Sequence, residues 1–183
     1  MKCSFRPGLR MAPCAVLLLL LLTACFSAAP AAPSVRWFDP TPRELPPPPP
    51  GLPPLRLRVQ APPQLGRELA YRVADREFAF DADHRWIGEP SALLHAALAR
   101  GLDAGSSGIE VTVELERFEF DLVGEPRARV QFALRTALPG QRERRIESVQ
   151  SSASRSVDAL VTAMALALVD ATAQVQRAVA EKP

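Results

Sequence analysis

Residues 109 to 122 constrain the fold more than any other stretch of the chain. Ile109, Val111, Val113 and Leu115 alternate with Glu110, Thr112, Glu114 and Glu116. That period belongs to an extended strand with one dry face and one wet face. The phase then slips, and Phe118, Phe120 and Leu122 continue on even positions. One extra residue exchanges the faces of a strand, so the slip predicts a β-bulge within a single long strand. Such a strand needs neighbours along its edges and a layer covering its apolar face.

The neighbours are legible on both sides. Leu55, Leu57 and Val59 alternate with Arg56, Arg58 and Gln60, the pattern of a half-buried strand. Residues 70–74 and 77–82 flank Asp75-Arg76, which predicts a hairpin, with Tyr71 and Val73, and Phe78 and Phe80, facing inward. After the turn at Gly124-Glu125-Pro126, Val130, Phe132 and Leu134 form another dry face opposite Arg129, Gln131 and Arg135. Pro139-Gly140 marks a further turn, and residues 144–151 form a weaker strand around Ile146 and Val149.

Two helices supply the covering layer. Pro90 suits a first helical position, where its missing N–H would have had no partner. Leu94, Leu98 and Leu102 then share one face, while Gly101 and Gly105 weaken the end. The second helix spans about 157 to 179, with Ser156 as its cap and Asp158 in its first turn. Leu160, Met164, Leu168, Ala171 and Val175 make its core stripe. Leu166 and Val169 fall on the other side, either as scattered surface residues or as a contact with another subunit in a homo-oligomer. The expected fold is α/β in the α+β sense, a mostly antiparallel sheet with two main helices packed on one face, as one domain over 55–181.

What precedes that domain has two parts. Thirteen of the nineteen prolines lie between Pro30 and Pro63, including the run Pro46 to Pro50. Such a composition favours extended polyproline II and suits a spacer over 25–54. Within it, Val35-Arg36-Trp37-Phe38 is apolar enough for a short first strand, which would turn 39–54 into a loop inside the domain. Ahead of these residues, Lys2, Arg6 and Arg10 precede an unbroken apolar run from Ala15 to Leu22, then Thr23, Ala24 and Cys25. That is the layout of a secretory signal over 1–24. The run is too short to cross a bilayer, which takes about 20 apolar residues.

Leu22-Thr23-Ala24-Cys25 resembles the lipobox of bacterial lipoproteins. The resemblance implies cleavage before Cys25, a diacylglycerol on its thiol and an acyl chain on its new amine. Two or more acyl chains hold stably, each buried methylene contributing about 0.8 kcal/mol. Phe26 follows the cysteine where inner-membrane lipoproteins often carry aspartate, so the resemblance implies the outer membrane, facing the periplasm. Removing residues 1–24 takes the formal charge from +2 to −1. A near-neutral chain offers no electrostatic footprint for nucleic acid. The other two cysteines, Cys3 and Cys14, lie in the signal, so neither a disulfide framework nor a thiolate metal site is expected.

No catalytic constellation emerges. Asp81, Asp83 and His84 raise the idea of a cation site, but alternation puts the aspartates opposite the histidine, so a solvated strand end is expected. His95 stands among Leu94 and alanines. Glu110, Glu114 and Glu116 belong to the wet face of the long strand, and Glu119 is the remaining carboxylate there. Neither a phosphate loop, a G-x-S-x-G elbow nor a histidine pair at ligand spacing is present. The expectation is a non-enzyme without cofactor or metal.

Arg85-Trp86-Ile87-Gly88-Glu89-Pro90-Ser91-Ala92-Leu93-Leu94, running on through Ala97-Leu98-Ala99-Arg100-Gly101-Leu102, resembles the "RWaepL…aLaraL" signature of the ABC-type transport auxiliary lipoproteins. These accompany MCE (mammalian cell entry) lipid transporters, including the paraquat-inducible system. Trp37-Phe38, Leu65-Gly66-Arg67, Glu116-Arg117-Phe118-Glu119 and the alanine-rich last helix fall in the family's order. The chain lacks the family's tyrosine-rich first strand, and has Pro63-Gln64-Leu65-Gly66-Arg67 where a P-x-Y-L-D-R type segment is usual. The resemblance implies a non-catalytic accessory subunit that serves a periplasmic MCE protein and its ABC permease and ATPase in moving lipid between membranes. Arg85 and Trp86 are then candidates for partner contact, Trp86 as an aromatic anchor or, alternatively, as packing under the following helix. Another envelope lipoprotein, such as an assembly factor for lipopolysaccharide export or a scaffold, is the second reading, and an exported hydrolase the third.

Overall fold

The computed structural model describes residues 34–137 and 143–181. The signal, Cys25 and the Pro139-Gly140 turn lie outside the described residues. In chain order the strands are β1 (Arg36–Phe38), β2 (Leu55–Gln60), β3 (Glu68–Ala74), β4 (Glu77–Trp86), β5 (Ile109–Asp121), β6 (Arg127–Thr136) and β7 (Arg144–Ser151). Helix α1 (Pro90–Leu102) lies between β4 and β5, and α2 (Val157–Ala180) closes the chain.

The long alternating segment is β5, and it sits at the middle of one seven-stranded sheet ordered β1-β4-β3-β5-β6-β7. The bulge falls where the phase slips. Leu115 pairs with Phe132 and Arg117 with Gln131, so Glu116 is the extra residue. Val111, Val113 and Leu115 before it, and Phe118 and Phe120 after it, are all buried on the same side. One edge of β5 is taken by β6. The other is shared end to end by β2, along Ile109 to Glu114, and β3, at Phe120 and Asp121.

Strand direction is where the expectation needs correction. The sheet is mixed, not mostly antiparallel: β1/β4, β2/β5 and β3/β5 are parallel, while β3/β4, β5/β6 and β6/β7 are antiparallel. Alternation reports which face a side chain takes, and it is blind to the direction of the neighbouring strand. The hairpin β3–β4 forms as expected, but its inward set differs. Leu69 and Tyr71 face the helices, whereas Val73, Phe78 and Phe80 are exposed.

Both helices cover one face. α1 starts at Pro90 and ends at Asp103, which takes the left-handed conformation (φ 50°), a conformation aspartate tolerates better than most residues. Its Leu94, Leu98 and Leu102 are buried, as are Leu160, Met164, Leu168, Ala171 and Val175 of α2. α2 is long and apolar enough to cross a membrane by composition, yet this stripe is buried in the core. The Ser156 hydroxyl caps α2 by accepting from the Ala159 N–H at 3.4 Å. Gly101 lies where the helices cross, and a Cβ there would collide with Thr172 Cγ2. It is a packing glycine rather than a weak helix end.

From Val35 onward the proline-rich segment belongs to the folded body, which begins there rather than at residue 55. Proline lacks the N–H but keeps its carbonyl, and the helices use those acceptors. Arg100 of α1 donates to the carbonyls of Pro42 and Arg43, both at 3.1 Å. Gln176 of α2 donates to Pro46 O at 3.0 Å and Pro47 O at 3.2 Å, and to Gly101 O at 2.7 Å. Residues 39–54 therefore form a strap across both helices, not a tether.

Candidate functional site

The sheet face away from the helices carries the polar side chains, and its two ends differ. Across β5, β6 and β7 the outward residues form a charged lattice. Arg135 reaches Glu114 at 2.8 Å, Arg145 reaches Glu116 at 3.0 Å, and Arg129 reaches Asp121 at 3.2 Å. Gln131 donates to Glu116 at 2.7 Å. Glu119 is nearly inaccessible and is held by the Arg72 guanidinium at 2.8 Å. Glu114, Glu116, Glu119 and Asp121 are thus each paired with an arginine of another strand.

Towards β3 and β4 the same face changes character. A cleft of about 480 Å³ lies between Leu65, Ala70, Phe78, Phe80 and the stems of Arg72 and Arg117. The Arg72 guanidinium stacks 4.4 Å from the Phe78 ring centroid. Phe80 is 59% exposed. Further along β4, Trp37 of β1 lies level with Arg85 and is 52% exposed, and Ile87, just past the strand, is 57% exposed.

A second bulge aligns these residues. Ala70 pairs with Phe80 but Glu68 pairs with Arg85, so β4 has three more residues than β3 over that interval. An odd excess exchanges the faces, placing Phe80 and Arg85 on one side and Asp81, His84 and Trp86 on the other. Asp81 pins this bulge. One carboxylate oxygen accepts the backbone N–H groups of Asp83 at 2.9 Å and His84 at 3.0 Å. The other accepts the Tyr71 hydroxyl at 3.0 Å and lies 2.9 Å from His84 Nδ1. Burial raises the Asp81 pKa, but the hydrogen bonds from Asp83, His84 and Tyr71 outweigh it, and the net shift is downward. Burial, with the Asp81 carboxylate second, pushes the Tyr71 hydroxyl well above its ordinary value.

The expected solvated strand end is thus a mid-strand cluster, with Asp81 and His84 on the same side. The alternation argument failed because a bulge lies between the two residues. A run of Asp-Ala-Asp-His interrupting an apolar alternation was the available signal, since aspartate readily accepts from N–H groups two residues on. Among the described residues no group of three or more His, Cys, Asp or Glu could hold a metal ion.

The remaining candidate residues separate. Trp86 is 1% exposed and packs edge-on against Phe118, ring centroids 5.4 Å apart, with Phe120 at 5.6 Å. It is a core residue and presents no surface to a partner, so the packing alternative describes it. Arg85 is partly exposed and faces Glu68 at 3.7 Å. Leu166 is exposed beside a cleft of about 360 Å³ formed with Ser151, Ala153, Ala159, Thr162 and Ala163, and Val169 is half-buried. These positions are not brought together with Arg85 and Trp86 into one site.

No family model matches the chain, and none of the curated proteins matches it. Solved structures do. One is protein XCC0632 from Xanthomonas campestris, described with the family model DUF330, 20% identical over 79% of this chain and 95% of that one, with a TM-score of 0.66. Another is an uncharacterised protein, 17% identical over 79% of this chain and 97% of that one, with a TM-score of 0.59. At these identities the likeness is one of fold: an α+β body with a mixed seven-stranded sheet and two helices.

Proposed function

We propose that this chain is a lipid-anchored, non-catalytic accessory subunit of an MCE-type ABC transport system, held at the outer membrane and facing the periplasm. The observation that carries the reading is Cys25 at the end of a signal-like segment, only ten residues before the folded body begins at Val35. The acyl chains at Cys25 supply attachment, and the α+β body is what they attach. The charged lattice, which pairs Glu114, Glu116, Glu119 and Asp121 with arginines, is in keeping with a sheet that serves as a scaffold. The partners under this reading are the periplasmic MCE protein and its permease and ATPase. The Arg85–Leu102 segment that resembles the family signature is one structural unit, the end of β4 turning into α1 over the buried Trp86. It supports the family reading through the fold it builds and not through an exposed contact.

Two measurements test the proposal. Radiolabelled palmitate should enter the wild-type chain, and Cys25→Ser should abolish incorporation and release the protein from the membrane fraction. The affinity-tagged, detergent-solubilised lipoprotein should co-purify with an MCE protein. A Cys25→Ser chain that remains membrane-bound overturns the anchor, and a labelled chain that never captures MCE components overturns the transport role.

A further inference from the structure

Among the described residues, nine large apolar side chains are exposed, and five of them belong to one side of one sheet edge. Phe78 and Phe80 lie on the outer face of β4. The β4 bulge brings Arg85, and hence Ile87 two residues on, to that same face. Trp37 pairs with Arg85 across the parallel β1/β4 ladder. Val35 shares its side by alternation, since Phe38 packs into the core. These five side chains therefore make a row along the outer edge, beside a lattice whose charges are already paired. Exposed apolar clusters of this kind mark contact surfaces.

The chain itself says what lies nearest. The strap occupies residues 39–54, so no spacer remains between body and anchor beyond the ten residues from Cys25 to Val35. Fully extended they span about 36 Å, and as a coil roughly 17 Å. The body is roughly 40 Å across for its length. A tether of that length lets the edge where the chain enters reach the bilayer, and a short tether raises the effective concentration of a weak contact.

We propose that the row Val35, Trp37, Phe78, Phe80 and Ile87 seats on the lipid surface to which Cys25 is anchored, with Trp37 at the level of the headgroups. This rests on the lipoprotein reading above. Tryptophan favours that depth because its ring is apolar while its N–H stays wet. The surface is near neutral, with Arg85 beside Glu68 and Arg72 beside Glu119, so insertion and not charge drives the contact, and zwitterionic lipid suffices.

The two tryptophans make the test direct, because Trp86 is sealed in the core and Trp37 is not. The mature lipidated protein is reconstituted into phosphatidylcholine vesicles whose acyl chains carry bromine near the glycerol end. Trp86 emission is read separately in a Trp37→Phe chain. Seating at a depth of about 5–10 Å should quench the Trp37 component roughly twofold, shift it to shorter wavelength, and be lost in Phe80→Asp/Ile87→Asp. Flotation of the same samples reports the anchor independently. Protein that floats with unquenched Trp37 overturns the seating while leaving the anchor standing; protein that fails to float removes both. A blue shift that depends on protein concentration in detergent and not on bromine assigns the row to a second copy. One that appears only on adding the MCE protein assigns it to that partner. Either result overturns the proposal.

Discussion

The two ends of the outer sheet face solve the same problem in opposite ways. At the β5–β7 end Arg129 and Arg135 each meet a carboxylate on the neighbouring β5, Arg145 of β7 reaches across β6 to Glu116 of β5, and the face is content in water. At the β1–β4 end Trp37, Phe80 and Ile87 stand more than half exposed. Both ends are sheet edges, which must be protected from pairing with other chains. β7 carries Arg144, Arg145 and Glu147, whereas β1 is only three residues long. Charge can protect an edge that faces water permanently. An edge that is short and apolar is protected best by something covering it.

The sharpest way to break this comparison uses the two tryptophans. Trp86→Ala should cost about 3–5 kcal/mol in urea denaturation, because it removes the ring between Phe118 and Phe120. Trp86→Phe should cost under about 1.5 kcal/mol, since the buried indole N–H has no partner to lose among the described residues. Trp37→Ala should move stability by no more than about 0.5 kcal/mol. Equal costs at the two positions would erase the distinction between packed and exposed aromatic.

At the boundary between the two ends, Arg72→Ala should cost about 3 kcal/mol by the same measurement, because the buried Glu119 then keeps only Arg117, at 3.7 Å, in place of its close hydrogen-bonded cation. Adding Glu119→Ala should recover part of that loss, and additive losses would show that the pair is uncoupled. The bulge that aligns the apolar row gives a smaller, pH-dependent effect. The folded-state pKa of Asp81 is depressed, so its contribution is present above the unfolded value and is lost as pH falls below about 3.8. Asp81→Asn should remove that segment of acid sensitivity and about 1–2 kcal/mol at neutral pH, read from urea midpoints between acid and neutral pH. At the far end Arg135→Ala should give the smallest loss of the set, because that pair is half exposed and screened. A larger loss there would mean that the lattice is a structural element and not a solvated surface.

The sequence patterns fared best where the information is local. The β5 bulge could be read at Glu116 because a single extra residue leaves two long alternating runs intact on either side. The β4 bulge could not, since its extra residues include the aspartate that pins it and leave too short a run beyond. Phe78 and Phe80 were misplaced for a related reason: an apolar alternation shows that two residues share a face, not that the shared face is covered. The core position of Trp86 was one of two readings, and only its neighbours Phe118 and Phe120, more than thirty residues away, decide between them.

By itself the sequence determined the existence of β2 to β7 and of both helices, the starts of α1 and α2, and the bulge in β5. Each depends on periodicity or on chemistry within a few residues. The tertiary structure alone decided that β1 runs parallel to β4, that β2 and β3 run parallel to β5, and that the prolines strap the two helices. It also decided that five apolar side chains line one edge. Those outcomes depend on which distant segment supplies the partner for an open carbonyl or an unpaired strand edge, and no local pattern encodes the identity of that partner.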